Sequence, residues 1–226
     1  MRQAPRRPAG QRGAARAVAR ILQRHLARVL ALLGLAGAAA GAHAQAAAPS
    51  AALPYPERYA AQCAACHGAA GISTLAGTPS LAGQPSFYAI TQLFLFRDGR
   101  RDSPVMTAIA KDMSDADLRG YSDAIGKLPA GPGLPSSAPD AARQARGAAL
   151  VQRLHCLGCH GDAAEGARQV PRLAGQREDY LLHALRGFKA GSRVGYTPAM
   201  SEALAGVTPA DIDDLAHHLA HFPARP

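Results

Sequence analysis

Two copies of the five-residue pattern C-x-x-C-H, at residues 63–67 and 156–160, constrain this chain most, because together they contain all four of its cysteines. Further matches follow each copy in the same order: Pro-x-Leu-Ala-Gly-Gln at 79–84 and 171–176, then Pro-x-Met at 104–106 and 198–200. Repeats of this kind determine the architecture of a chain. The sequence therefore predicts two related halves, each built around one C-x-x-C-H pattern.

The spacing within C-x-x-C-H suits covalent attachment of haem. Its two thiols lie one helical turn apart, so both can add to the vinyl groups of one porphyrin, and the adjacent histidine can reach the iron. We therefore predict two c-type haems. The predicted thioether residues are Cys63, Cys66, Cys156 and Cys159, and the predicted proximal iron ligands are His67 and His160.

Three other uses of paired cysteines explain the sequence less well. A structural zinc ion needs four converging ligands, whereas the two cysteine pairs here lie in separate repeats. A redox dithiol of the thioredoxin kind is expected beside a βαβ pattern, which the sequence lacks. A structural disulfide is the third alternative.

The sixth position on each iron separates electron carriers from haem enzymes. After residue 44 the methionines are Met106, Met113 and Met200. Met106 and Met200 correspond through the Pro-x-Met segments, 39 and 40 residues after their histidines, whereas Met113 corresponds to Val207. Methionine commonly fills core space, but the correspondence predicts Met106 and Met200 as axial ligands and Met113 as a packing residue.

The free ring N–H of a haem-ligating histidine usually donates to a carbonyl or carboxylate. We predict that the backbone carbonyls of Pro79 and Pro171 accept these bonds, because proline holds its carbonyl at a fixed φ and has no N–H to satisfy. The alternative is that both are simple turn prolines.

Other polar residues are weaker candidates. The remaining histidines of the second half have no counterpart in the first, so we predict surface or packing roles: His155, His183, His217, His218 and His221. Six basic residues, three in each half, are candidates to pair with haem propionates, or simple exposed charges: Arg97, Arg100, Arg101, Arg186, Lys189 and Arg193.

The first 44 residues supply +8 of the formal charge of +9. They hold eight arginines and no acidic residue, which leaves 17 basic and 16 acidic residues in the rest of the chain. A basic stretch, an apolar run over 29–40 and Ala42-His43-Ala44 predict a signal peptide at 1–44, cleaved after Ala44. The apolar run is short for a membrane anchor, which is the weaker alternative. We predict a periplasmic protein without a nucleic-acid partner. A start codon further along the chain is an alternative to Met1.

Composition divides the rest of the chain. Residues 45–53 predict a flexible N-terminal segment, 54–129 a first domain, 130–140 a Pro-rich linker and 141–226 a second domain. Helices are predicted at 57–62, 86–96, 141–154 and 179–188, and no sheet is predicted. The last helix of each domain is predicted to start at the caps Ser114 and Thr208 and to bury one apolar stripe.

One set of motifs occurs twice and together covers residues 54–223. The set consists of C-x-x-C-H, Pro-x-Leu-Ala-Gly-Gln, an aromatic residue, Pro-x-Met and a capped last helix. This set resembles the dihaem class I cytochromes c of the cytochrome c4 type. The resemblance implies an all-α fold of two tandem cytochrome c domains, each wrapped around one covalently bound c-type haem, with N- and C-terminal helices crossing. The first domain has only a short N-terminal helix.

Two closed His/Met sites and no room for a further catalytic domain favour an electron carrier over an enzyme. The resemblance implies a periplasmic shuttle of the respiratory chain, from a quinol-oxidising complex to a terminal oxidase or another acceptor, with membrane association only through these partners. One alternative is the electron-accepting subunit of a periplasmic dehydrogenase. Another is a dihaem peroxidase, which needs an iron with an open position.

Overall fold

The computed structural model describes residues 53–223, and the backbone there is helical, which confirms the all-α prediction. Within that range it contains no strand beyond an isolated bridge between Ala167 and Val170. The predicted signal peptide at 1–44 lies outside the described residues, as does the predicted flexible segment 45–53 except for its last residue.

Each half contributes five helices to the described chain. In the first half they are α1 (Tyr55–Gln62), α2 (Ala64–His67), α3 (Ser86–Arg97), α4 (Pro104–Ala110) and α5 (Asp115–Gly126). In the second half they are α6 (Ala141–Arg153), α7 (Leu157–His160), α8 (Glu178–Lys189), α9 (Ala199–Ala203) and α10 (Pro209–Ala220). The predicted helices are all present, and α1 begins two residues earlier than predicted.

The last helix of each half begins at the predicted cap. Ser114 accepts a hydrogen bond from the backbone N–H of Asp117, whose carboxylate accepts from the Ser114 N–H in return. Thr208 and Asp211 form the same capping box at the start of α10, with Pro209 in the first turn. The predicted apolar stripes are buried: Leu118, Tyr121 and Ile125 in α5, and Ile212, Leu215 and Leu219 in α10.

The first and last helices of each half pack closely, and a glycine makes this approach possible in both. A Cβ atom added at Gly120 of α5 would lie 2.0 Å from the ring of Tyr55 in α1. In the second half a Cβ atom at Gly147 of α6 would lie 2.4 Å from the carbonyl oxygen of Asp214 in α10. Only glycine permits contacts this short, so we expect larger residues at either position to separate the helices.

The carboxylate of Asp117 stabilises the first half more than capping alone would. It accepts from Tyr55 Oη at 3.2 Å and forms an ion pair with Arg58 Nη2 at 2.7 Å, so it joins α1 to α5. Hydrogen bonding from Ser114, with Arg58 and Tyr55 contributing, lowers the pKa of Asp117 from 3.8 to about 2 although partial burial opposes the shift.

We expect Asp117→Ala to lower the free energy of unfolding by about 1–2 kcal/mol, measured by denaturant titration at pH 7. The matched control is Asp211→Ala, which removes the same capping box; Asp211 has no hydrogen bond or ion pair to another helix among residues 53–223, so its loss should cost about half as much. Because the folded pKa is lowered, this stability is present above about pH 4 and is lost as the pH falls towards 2. An equal loss in both variants at all pH values would contradict the prediction.

A buried histidine of the second half forms a hydrogen bond with the end of the Pro-rich segment. His217 is fully buried, and its Nε2 accepts from the backbone N–H of Asp140 at 2.9 Å. Its Nδ1 therefore carries the proton and donates to Glu178 Oε2 at 3.0 Å. Ser137 Oγ and Arg143 also donate to Glu178. His217 therefore has a packing role, as predicted.

None of the helices within residues 53–223 combines the length and the apolar character that crossing a membrane requires.

Candidate functional site

Each C-x-x-C-H pattern forms a single helical turn, α2 or α7, directly after the first long helix of its half. The histidine at the end of the turn is buried, with 7% of His67 and 6% of His160 exposed, while Cys66 and Cys159 face solvent. The chain then turns sharply at Gly68, which has a φ of +84°. A Cβ atom there would lie 2.1 Å from the carbonyl oxygen of Ile72, so only glycine fits.

The two buried imidazoles are oriented in the same way. His67 Nδ1 lies 2.8 Å from the carbonyl oxygen of Pro79, and His160 Nδ1 lies 2.9 Å from that of Pro171. A carbonyl oxygen only accepts, so Nδ1 carries the proton and Nε2 keeps its lone pair. Burial lowers the pKa of both imidazoles, which favours this neutral, ligating form. The geometry suits a metal held by Nε2.

The four cysteines are free and none pairs with another. Burial raises the pKa of the Cys63 thiol to about 11, with the neighbouring Cys66 adding to the shift, and burial also raises the pKa of Cys156. A redox dithiol needs a thiol whose pKa is lowered. Within residues 53–223 no cysteine belongs to a group of three potential metal ligands, so the structure gives no support to the zinc and dithiol alternatives.

The Pro-x-Met methionines lie on short helices. Met106 is in α4 and Met200 in α9, and both are half-buried. Met106 and Cys63 pack against the same apolar cluster, which consists of Leu93, Leu118 and Tyr121. Met200 and Cys156 pack in the same way against the core of the second half. Each half thus places its first cysteine and its Pro-x-Met methionine around one apolar core.

Met113 also contacts the cluster of Leu93, Leu118 and Tyr121, so packing alone does not distinguish it from Met106. Its counterpart Val207 is 3% exposed and belongs to the core of the second half. A residue that is interchangeable with valine serves to fill space, and this supports Met106 rather than Met113 as the ligand.

Donor groups at the site fit a cofactor that carries carboxylates. Arg101 and Arg193 are half-buried, and neither has an acidic partner among the described residues; their hydrogen bonds go to Gln92, Tyr180 and Tyr196. The Nε of Arg193 is buried without a hydrogen-bond partner in that part of the chain. Buried guanidinium groups usually have an anionic partner, and a haem propionate would provide one.

Three of the other four basic candidates already have partners. Arg97 pairs with Asp115 at 2.8 Å and Arg186 pairs with Asp213 at 2.7 Å. Lys189 donates to the carbonyls of Leu204 and Ala205. These contacts fit structural roles, and Arg100 is exposed.

The remaining histidines do not form a second site. His155 and His183 are exposed, and His218 bonds to Gln144. Side chains of Glu178, His217 and His221 come within 4.8 Å of one another, but their ring nitrogens and carboxylate oxygens are hydrogen-bonded within the fold. The prediction of surface or packing roles is consistent with these positions.

Sequence reasoning missed Ser73, which is fully buried in the first half. Its Oγ donates to the carbonyl of Cys66 at 2.9 Å, and its backbone N–H donates to Ser80 Oγ at 3.1 Å. It therefore ties the cysteine pattern to the Pro-x-Leu-Ala-Gly-Gln segment. Nothing in the second half corresponds to this serine in sequence, so the repeat could not reveal it.

Comparison with known proteins gives matches to two family models, one in each half. Residues 144–223 match the family described as cytochrome c, and residues 51–121 match the family described as cytochrome c oxidase, cbb3-type, subunit III.

Similar proteins match over most of the chain. It is 37% identical to a protein of Thiomonas intermedia named thiosulfate dehydrogenase electron acceptor, covering 78% of this chain and 84% of that protein. It is 31% identical to cytochrome c4 of Pseudomonas aeruginosa, covering 71% and 83%. The solved structure of reduced cytochrome c4 from Pseudomonas stutzeri superposes with a TM-score of 0.68 and 27% identity, covering 78% of this chain and all of that one.

Proposed function

Because this chain belongs to the dihaem class I cytochromes c of the cytochrome c4 type, and is therefore a two-haem electron carrier, we propose that it shuttles single electrons between periplasmic partners. The proposed donor is a quinol-oxidising complex, and the proposed acceptor is a terminal oxidase or another oxidant. The observation that carries the proposal is the pairing, in both halves, of a buried proximal histidine with a methionine on the same apolar core.

The chain's own residues would hold and shield the two haems. Cys63, Cys66, Cys156 and Cys159 would form the thioethers, His67 and His160 the proximal iron bonds, and Met106 and Met200 the distal ones. A haem iron with histidine and methionine ligands exchanges one electron between Fe(II) and Fe(III) without opening a position to substrate. The carbonyls of Pro79 and Pro171 hold the imidazoles in place, so little rearrangement accompanies the exchange.

We propose the domain boundaries with the function. Residues 54–129 form the first haem domain, 130–140 the linker and 141–226 the second haem domain. Export through a signal peptide at 1–44 would place the protein where C-x-x-C-H patterns receive haem. Edman or mass-spectrometric sequencing of the protein from the periplasmic fraction should find Gln45 at its N-terminus.

A second candidate has a specific observation in its favour. The relative with 37% identity is named as the electron acceptor of a thiosulfate dehydrogenase. By that similarity this chain would accept electrons from a periplasmic dehydrogenase, and the enzyme rather than this chain would carry out the chemistry on the substrate. Both candidates use the same two haem sites and differ only in the electron donor.

The donor can be identified by reduction kinetics. We expect the oxidised protein to be reduced within seconds by a purified quinol-oxidising complex and quinol, and to be reoxidised by a terminal oxidase, as followed by haem absorbance under stopped flow. Each reaction is repeated with heat-inactivated partner as the control. Reduction by a thiosulfate dehydrogenase with thiosulfate, and not by the quinol-oxidising complex, would establish the second candidate. No reduction by either donor would contradict both.

A further inference from the structure

We propose that Gln84 and Gln176 each strengthen the hydrogen bond that the proximal histidine of the opposite half donates to its proline carbonyl. Each is the last residue of a Pro-x-Leu-Ala-Gly-Gln segment. Neither glutamine has a role in the haem attachment or iron ligation described above. The inference rests on the proposed assignment of His67 and His160 as iron ligands, and not on the identity of any electron donor.

The side chain of Gln176 reaches across to the first half and binds one residue twice. Its Oε1 accepts from the backbone N–H of Ser80 at 2.8 Å, and its Nε2 donates to the carbonyl of Ser80 at 2.8 Å. Gln84 repeats the arrangement in the other direction. Its Oε1 accepts from the N–H of Arg172 at 3.1 Å, and its Nε2 donates to the carbonyl of Arg172 at 3.0 Å.

The residues bound in this way follow directly on the two prolines that orient the histidines. The N–H of Ser80 belongs to the same peptide group as the carbonyl of Pro79, which accepts from His67. Likewise the N–H of Arg172 shares a peptide group with the carbonyl of Pro171, which accepts from His160. Each glutamine is therefore one planar peptide group away from the imidazole of the other half.

These hydrogen bonds lie among buried residues. Gln84, Gln176 and Arg172 are each 5% exposed, and Ser80 is 7% exposed. In such surroundings hydrogen bonds that share a peptide group polarise one another, because donation by the N–H increases the negative charge on the carbonyl oxygen. A glutamine that accepts from the N–H thus strengthens the bond between the proline carbonyl and the histidine.

Glutamine is suited to this task because its amide is both donor and acceptor. A leucine or methionine would leave the N–H and C=O of Ser80 or Arg172 buried without partners, and a carboxylate would face a carbonyl oxygen. A stronger hydrogen bond from Nδ1 makes the imidazole a better electron donor and so favours Fe(III). Each glutamine should therefore lower the reduction potential of the haem in the opposite half.

The test is a pair of single substitutions, Gln176→Met and Gln84→Met, which keep the length of the side chain. We expect Gln176→Met to raise the potential of the first haem and to leave the second nearly unchanged. Gln84→Met should do the reverse. The two potentials are measured by redox titration followed by proton NMR of the haem methyl groups, assigned to each half through Overhauser contacts.

The matched control is Asp179→Ala. Asp179 Oδ2 accepts from the N–H of Gly77 at 3.0 Å, so Asp179→Ala removes this bond between the halves, together with an ion pair to Arg177, and removes no bond to either proline peptide. Asp179→Ala should not shift the reduction potential of one haem more than that of the other. The proposal would be overturned if the potential shifted at the haem of the mutated half, or equally at both haems. The same pattern of shifts in Asp179→Ala would also overturn it.

Amide hydrogen exchange of the unmodified protein keeps the proposal testable if the variants do not fold. The N–H groups of Ser80 and Arg172 should exchange only by global unfolding, because both are buried and hydrogen-bonded to a glutamine. Exchange of either amide at the rate of an exposed loop would contradict the proposed bond. The readouts are independent of any redox partner, so the inference can fail while the proposed function stands.

Discussion

Replacing Met106 with alanine is expected to leave both haems attached while it opens the iron of the first half. Thioether sulfur is a soft ligand that favours Fe(II), so its loss should lower the potential of that haem, on the order of 0.1 V or more, given that protein ligands set haem potentials over about 0.8 V. The opened iron should also bind carbon monoxide when reduced. A redox titration and the spectrum with carbon monoxide measure both effects.

Two further substitutions serve as controls for this result. Met200→Ala should produce the same changes at the second haem only. Met113→Ala should leave both ligation spectra unchanged, although it loses packing against Leu118 and Tyr121 and lowers stability by about 2 kcal/mol. If Met113→Ala alters the spectrum of the first haem and Met106→Ala does not, the ligand assignment is wrong.

The double substitution of Cys156 and Cys159 by serine should remove the second haem and unfold much of the second half. No aromatic side chain is among the fully buried residues of that core, which consists of aliphatic residues. The porphyrin would occupy the space that larger side chains fill in other proteins, and its absence leaves a cavity. We expect the haem content to fall from two to one per chain and the stability to fall by more than about 4 kcal/mol.

Haem content is measured by mass spectrometry after denaturation, and stability by thermal unfolding followed by circular dichroism. The matched control is the equivalent double substitution of Cys63 and Cys66, which should remove the first haem and leave the second bound. Two haems per chain in either variant, or an unchanged unfolding transition, would mean that the cysteines do not attach haem in the proposed way.

The parts of the fold that sequence reasoning predicted well have local signals. The start of α5 depends on Ser114 and Asp117, which are three residues apart, and α10 starts at a similar pair. The histidine and proline of each half are 12 or 11 residues apart, and the repeat marked both prolines. The short helices α4 and α9 were not predicted, since seven and five residues show too little periodicity.

Apart from the local bonds of Ser73, the contacts that sequence reasoning missed join distant parts of the chain. Gln84 and Arg172 are 88 residues apart, and His217 binds Asp140 across 77 residues. No local pattern encodes which glutamine meets which backbone group, because this depends on how the halves pack. The repeat identified the glutamines as related but could not show that each one serves the other half.

The two methionine ligands are the central claim, and proton NMR of the fully reduced protein tests them most directly. A methionine bound to a low-spin Fe(II) haem has its side-chain protons shifted far upfield by the porphyrin ring current. We predict two such sets of signals in the unmodified protein, one absent from Met106→Ala and the other absent from Met200→Ala. A single set, no set, or two sets that persist in these variants would contradict the account of two closed electron-transfer sites.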